Sequence, residues 1–166
     1  MRTSVSTPAT ITSNENKDMV INNEKDPYAS STYLLDRKIE IITADLRIRR
    51  ELTNGLYRIS AANSLIISEY IMAMKTEINP SDNYGRDNIK LLIRFSMFHH
   101  NKTFKQIIRD DVLSFLESLR KPEASDPLHK WISTYNLFRM YLLRFFKWLY
   151  YPEIEPSKRP KPALPH

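Results

Sequence analysis

The stretch that decides the fold is DPLHKWISTYNLFRMYLLRFFKWLYYP, residues 126–152. Its large apolar side chains recur in steps of three and four residues, the spacing that keeps side chains on one face of an α-helix. The members of this stripe are Trp131, Tyr135, Phe138, Leu142, Phe145 and Leu149. Asp126 followed by Pro127 predicts an N-cap with proline at the first helical position, and Pro152 marks the end. A helix of this length must bury its stripe in a small bundle, so the stretch predicts an all-α fold.

The same periodicity predicts four more helices upstream. They cover approximately residues 33–50, 63–78, 84–100 and 109–121. Asn63 or Ser64 is expected to cap the second helix, and Ser81 or Asp82 the third. The pair Asn54-Gly55 is expected to interrupt the chain after the first helix. The expected architecture is a four-helix bundle preceded by an additional N-terminal helix.

The composition favours a single helical domain and excludes several chemistries. A chain of 166 residues suits one domain with extensions, and a hydrophobic fraction of 42% is enough for a core. Only 2 glycines occur beside 10 prolines, which disfavours glycine-rich phosphate loops and tight hairpins. Because there is no cysteine, disulfides, zinc–thiolate sites and cysteine nucleophiles are excluded. No stretch resembles a secretory signal or a membrane span, so a cytoplasmic protein is expected.

The two ends of the chain differ from the helical part. Residues 1–32 are rich in Ser, Thr, Asn and charge, which predicts a disordered tail. Residues 33–60 are expected to form an N-terminal helical extension, and residues 61–152 the main domain. Residues 153–166 are proline-spaced and basic, which predicts an extended linker with no core of its own.

The net charge of +6 is concentrated in the C-terminal half of the chain. Residues 84–166 carry 15 Lys and Arg against 8 Asp and Glu. A basic field of this kind favours binding to polyanions such as nucleic acid. On the third and fifth predicted helices the cations are accompanied by hydroxyl and amide side chains, a combination that suits phosphate and base-edge contacts.

No catalytic or metal site is expected. His99 and His100 are adjacent at a helix end and point in different directions, and no acidic residue stands at a ligand spacing. Asp110 and Asp111 lie in a first helical turn, where the helix dipole accounts for them. With neither a nucleophile elbow nor a Walker loop, no cofactor or small-molecule substrate is predicted. A membrane-surface role for the aromatic helix is disfavoured, because the other helices offer its stripe a protein partner.

Three segments together resemble a known family. They are LLIRFSMFHHNKTFKQIIRDDVLSFLESLRK, then DPLHKWISTYNLFRMYLLRFFKWLYYP, then KRPKP. In this order they resemble the core-binding domain of phage-integrase-type tyrosine recombinases, in particular the archaeal integrase-like branch. The resemblance covers about residues 61–162. Family members often carry Thr as a helix cap at the position of Ile108. Because Ile108 cannot cap, either the helix is expected to start differently or Asp110 is expected to take the role.

The resemblance implies a four-helix bundle that forms half of a C-shaped clamp on duplex DNA. The helices near 84–99 and 128–150 would face the major groove. The catalytic arginines, lysine, histidines and tyrosine belong to a second domain downstream, so this chain is expected to bind DNA without cleaving it. Further recombinase protomers on the DNA are expected partners, and the protein is expected on the nucleoid. The alternative is a protein-interaction bundle that regulates a full-length recombinase.

The basic excess and the resemblance together predict the contact residues. Phosphate contacts are expected from Lys102, Lys105, Lys130, Arg144 and Lys147. Base-proximal contacts are expected from Arg86, Asn88, Lys90, Thr134, Asn136 and Arg139.

Overall fold

The computed structural model describes residues 27–165, and its regular structure there is entirely helical. The helices are α1 (Pro27–Leu46), α2 (Arg50–Arg58), α3 (Ala61–Ile78), α4 (Asp82–Phe98), α5 (Arg109–Glu117) and α6 (Trp131–Tyr150). A short 3-10 helix, Phe104–Gln106, lies between α4 and α5. No strand occurs within this range, and the prediction of an all-α fold is confirmed.

Helices α3 and α4 lie at the centre of the bundle. Both contact α1, α2 and α6, and α5 packs on α6. Phe95 of α4 is fully buried, with the ring of Phe115 edge-on at 5.0 Å between centroids. The rings of Phe104 and Phe146 lie at 6.2 and 6.1 Å from it. These aromatic contacts join α4, α5 and α6 into one core, because each ring removes a large apolar area from water.

The first two helices belong to the same core. Ile39, Ile42 and Leu46 of α1 and Leu56 of α2 are each at most 1% exposed. The core therefore continues across residue 60, where the sequence placed the boundary between an extension and the main domain. The apolar stripe of α1 was visible in the sequence, but the helices that it packs against were not.

The predicted bounds of the N-terminal helices need correction. Helix α1 begins at Pro27, so 27–32 belong to a helix and not to the predicted tail; 1–26 lie outside the described residues. It ends at Leu46, before Arg47 in the left-handed conformation (φ 48°). The predicted break at Asn54-Gly55 is wrong, because α2 runs through it. Gly55 serves close packing instead: a Cβ there would lie 3.0 Å from Ile93 Cδ1.

A buried amide joins the start of α3 to the end of α4. The Asn63 side chain is fully buried, and its Nδ2 donates to Ser96 Oγ (2.8 Å) and to the Lys102 carbonyl (3.0 Å). Its Oδ1 accepts from the Phe104 N–H (3.0 Å). The prediction of Asn63 or Ser64 as N-cap is wrong, because Ser60 takes that position and accepts from the Asn63 N–H. The prediction of Ser81 as a cap of α4 is confirmed.

Helix α6 begins later than the sequence indicated. Asp126 accepts from the Trp131 N–H (3.0 Å), but residues 127–130 form a turn before the helix, with His129 at φ 49°. Pro127 is therefore not the first helical residue. The N–H of Trp131 holds the pKa of Asp126 below its ordinary value, which keeps the carboxylate ionised where it faces the helix N-terminus.

The C-terminal segment packs on the bundle, contrary to the predicted extended linker. Arg159 is 6% exposed and forms a two-pronged ion pair with Glu77 of α3. Its guanidinium also donates to the carbonyls of Tyr151 (2.9 Å) and Pro152 (3.1 Å). Further along, the Pro165 carbonyl accepts from the first N–H of α5, and Leu164 packs against the core. The composition was linker-like, but one arginine with four hydrogen bonds fixes the segment.

We expect Asn63→Ala to lower the free energy of unfolding by about 3 kcal/mol, because it leaves the Phe104 N–H and the Lys102 carbonyl buried without a partner. Urea denaturation followed by circular dichroism measures the change. Asn54→Ala, at an exposed position of α2, is the matched control and should change stability by about 0.5 kcal/mol or less. Equal effects of the two substitutions would contradict a structural role for the buried amide.

We expect Arg159→Ala to lower the free energy of unfolding by about 2–3 kcal/mol, because Glu77 and two carbonyls lose their donor. The neighbouring Lys158, with a side chain 76% exposed and paired only with Glu155, supplies the control Lys158→Ala, which should have almost no effect. Thermal and urea denaturation measure both variants. If Arg159→Ala is as stable as Lys158→Ala, the C-terminal segment does not contribute to the fold.

Candidate nucleic-acid interface

Three cations form a row along the outer face of α4. Arg86, Lys90 and Arg94 follow one another at intervals of four residues, so they lie on one side of the helix. Lys90 and Arg94 are exposed, and Arg86 is half-buried. The row extends about 12 Å along the helix axis, at 1.5 Å per residue. This length is similar to the width of the DNA major groove, also about 12 Å.

At its first end, the row borders a groove against the turn between α1 and α2. The groove has a volume of about 570 Å³ and is lined by Arg86, Lys90 and Arg49, together with Asn83. Arg86 donates to the Leu46 carbonyl (2.9 Å) and to Asn83 Oδ1 (2.6 Å). These bonds hold the guanidinium against the end of α1, and an arginine has five N–H donors, so others stay available to a ligand. The groove is therefore fixed in shape and positively charged.

At its other end, the row borders a second groove between α4, the end of α5 and the start of α6. This groove has a volume of about 680 Å³. It is lined by Arg94, Lys121, Lys130 and Thr134, and Asp126 is the acidic residue in its lining. The guanidinium of Arg94 lies over the Phe115 ring, 5.8 Å from its centroid, which stabilises a cation on an aromatic face. Two grooves rich in cations thus flank one helix face.

We call this surface the basic band and define it by six residues. They are Arg49, Arg86, Lys90, Arg94, Lys121 and Lys130. Three acids lie along it: Asp87 forms an exposed ion pair with Lys90 at 3.4 Å, Glu51 lines the first groove, and Asp126 lines the second. An exposed pair of this kind contributes little and opens readily to a stronger anion. The band can therefore present several cations to a polyanion at once.

Four of the eleven predicted contact residues lie on the basic band or beside it. They are Arg86, Lys90, Lys130 and Thr134. The prediction that Asn88 contacts bases is wrong. Its side chain is 1% exposed, and its Nδ2 donates to the Tyr84 carbonyl (2.8 Å), so it cannot reach a base. Two residues along a helix correspond to about 200° of rotation, which places Asn88 opposite Arg86 and Lys90.

The other predicted residues on α6 do not share this surface. Arg139 lies nine residues from Lys130, which is two and a half helical turns and places it on the opposite side. Arg144 and Lys147 line a third groove, beside Glu77 and Arg159. Arg144 donates to the Tyr84 hydroxyl and lies over that ring. The cations of α6 thus point in several directions and do not form the single face that was predicted.

The three remaining predicted residues are also dispersed. Lys102 forms an ion pair with Asp111 (2.6 Å). Lys105 is exposed on the 3-10 helix, and Asn136 is exposed on the outer face of α6. None of them lines either groove of the basic band.

Sequence reasoning missed part of the band. Arg49 belongs to the run Arg47-Ile48-Arg49-Arg50, in which all three arginines are exposed at the turn between α1 and α2. Three arginines in four residues are a recognisable basic signal. The run was overlooked because residues 1–60 are nearly neutral as a whole. Lys121, in the second groove, was not among the predicted contact residues either.

His99 and Asp111 form contacts within the bundle that account for their positions. The His99 side chain is 9% exposed, its Nδ1 lies 3.9 Å from Asp111 Oδ1, and burial lowers its pKa. Asp111 Oδ2 accepts from the Ile108 N–H (2.9 Å), so Asp111 and not the predicted Asp110 binds the start of α5. Burial raises the pKa of Asp111, but the Ile108 N–H and Lys102 together hold it below its ordinary value. Within residues 27–165 no group of three His, Asp or Glu side chains could hold a metal ion.

The helices within residues 27–165 are too short or too polar to cross a bilayer.

No protein-family model, no curated protein and no solved structure matches this chain.

Proposed function

We propose that this protein binds duplex DNA through the basic band. The observation that carries the proposal is the row of Arg86, Lys90 and Arg94 on α4, with a cation-lined groove at each end. A polyanion with regularly spaced phosphates can contact cations in both grooves at once, and every contact releases condensed counterions. A small anion could occupy only one groove.

The shape of the band favours a duplex. Helix α4 presents an exposed, polar face between the two grooves, and an α-helix fits the DNA major groove. Arg49 on one side and Lys121 and Lys130 on the other would contact phosphates. Lys90 and Arg94, between them, would lie nearest the base edges. Thr134 in the second groove offers a hydroxyl to the same backbone.

The more specific proposal is the core-binding half of a tyrosine recombinase. Its support is the resemblance in the sequence, which assigned two helices to the major groove. In the structure, the helix corresponding to 84–99 carries the basic row, but α6 reaches the band only through its first turn, at Lys130 and Thr134. In the proposed recombinase role, α4 is therefore the principal helix that faces the DNA. In this role the chain binds its site on the nucleoid, and strand cleavage depends on catalytic residues of the kind found in the family's other domain.

We expect the double substitution Lys90→Ala and Arg94→Ala to weaken binding to a random duplex by about tenfold or more at 100 mM salt. The slope of log affinity against log salt should become shallower by about 2, because on a random duplex, where no base sequence is recognised, both side chains bind phosphates and release counterions. Fluorescence anisotropy across a salt series measures both quantities.

The matched control for this experiment is Arg139→Ala with Lys147→Ala, which removes two cations of α6 away from the band. It should leave the salt slope nearly unchanged. If the control pair lowers the affinity and the slope more than the band pair does, the duplex binds to α6 and the proposal is wrong.

A further inference from the structure

A second surface, on the opposite side of α6 from the band, differs from it in chemistry. It is a groove of about 430 Å³ between α5, α6 and the C-terminal segment. Its floor is apolar: Leu113 and Leu143 are each 38% exposed, and Val112 is half-buried. We call it the α5–α6 groove.

The apolar surface continues along the outer face of α6. Ile132 and Met140 are 43% and 49% exposed. Ile132 precedes Met140 by eight residues, and Met140 precedes Leu143 by three. These spacings keep the three side chains on one helix face. These residues span about 16 Å along the helix, about three helical turns, and the exposed, polar Asn136 lies on the same face between Ile132 and Met140. Large apolar side chains grouped in this way, next to a groove, are typical of a surface that accepts an amphipathic helix.

The rim of the groove is uniformly basic. Arg109, Arg139 and Lys161 line it, and no acidic residue does. All three are exposed, and within residues 27–165 none of them forms an ion pair. Three unpaired cations around an apolar floor are complementary to apolar side chains flanked by carboxylates.

We propose that the α5–α6 groove binds an acidic amphipathic helix of a partner protein. Its apolar side chains would pack on Leu113, Met140 and Leu143, and its carboxylates would pair with Arg109, Arg139 and Lys161. A second copy of this chain fits less well, since a two-fold contact would bring the same three cations together. A nucleic acid would gain nothing from the apolar floor. This partner site is independent of the DNA proposal, because the two surfaces share no residue.

The test uses a fluorescein-labelled peptide about four helical turns long, with Leu on one face and Glu elsewhere, titrated with the full chain by anisotropy. We expect saturable binding, reduced about tenfold or more by Arg139→Glu and by Leu143→Ser, because the first reverses a rim charge and the second removes floor contact. Lys90→Glu, on the basic band, is the matched control and should leave peptide binding unchanged. The same variants are titrated with duplex DNA, where the order should reverse: Lys90→Glu weakens binding and Leu143→Ser does not.

Three results would overturn the proposal. The first is equal binding of a peptide in which every Leu is replaced by Ser, since this would mean that charge alone is recognised. The second is loss of peptide binding in Lys90→Glu but not in Arg139→Glu, which would place the peptide on the band. The third is an absence of peptide binding combined with concentration-dependent dimerisation, by sedimentation velocity, that Leu143→Ser abolishes. Circular dichroism of each variant establishes that the fold is retained, and the DNA titration shows separately whether the proposed function fails.

Discussion

The buried amide of Asn63 is the constraint on which the arrangement of the bundle depends. One side chain at the start of α3 binds the end of α4 through Ser96 and the following turn through Lys102 and Phe104. An amide in an apolar core is costly unless its donors and acceptor are paired, so this geometry admits little variation. The network fixes where α4 ends and where the chain turns toward α5. It therefore also fixes which face of α4 is left outside.

That outer face is the centre of the proposed interface. The two segments beside it, the turn between α1 and α2 and the start of α6, are each held by a separate contact. Arg86 binds the Leu46 carbonyl and so joins the basic row to the turn that carries Arg49. On the other side, Asp126 binds the start of α6 and thereby positions Lys130 beside Arg94. A band assembled from four segments is thus held by two hydrogen bonds, in which the half-buried Arg86 is the only one of its six cations to take part. The other cations are consequently available to a ligand without loss of stability.

Much of the fold could be predicted from the sequence, because apolar periodicity directly reports the buried face of a helix. The α6 stripe was predicted in this way, and Ser81 was predicted as a cap from its hydroxyl side chain ahead of α4. The later start of α6, the continuation of α2 through Gly55 and the docking of Arg159 could not be found. The close approach of Gly55 to Ile93 and the pairing of Arg159 with Glu77 join positions that are far apart in the sequence. The start of α6 depends instead on a local turn, in which His129 is left-handed and Asp126 accepts from the Trp131 N–H.

The candidate site was predictable only in part. Charge in the C-terminal half and the position of Arg86 and Lys90 were visible, and helical geometry alone could have removed Asn88 from the set. The dispersion of the α6 cations follows from the rotation of the helix, but the surfaces that they face depend on packing. Arg49 reaches the band only because α1 and α2 fold against α4, which no local pattern indicates. The sequence therefore identified a basic protein, whereas the placement of its helices defines the band.

The central claim is that duplex DNA contacts α4 and its two flanking grooves, and NMR tests it most directly. Backbone amide resonances of the isotopically labelled chain would be followed while a short duplex is added. The account predicts that the largest shift changes lie at 47–50, 86–94 and 121–134, with little change at 139–147. Changes concentrated at 139–147 and around Lys105, with α4 unaffected, would contradict it.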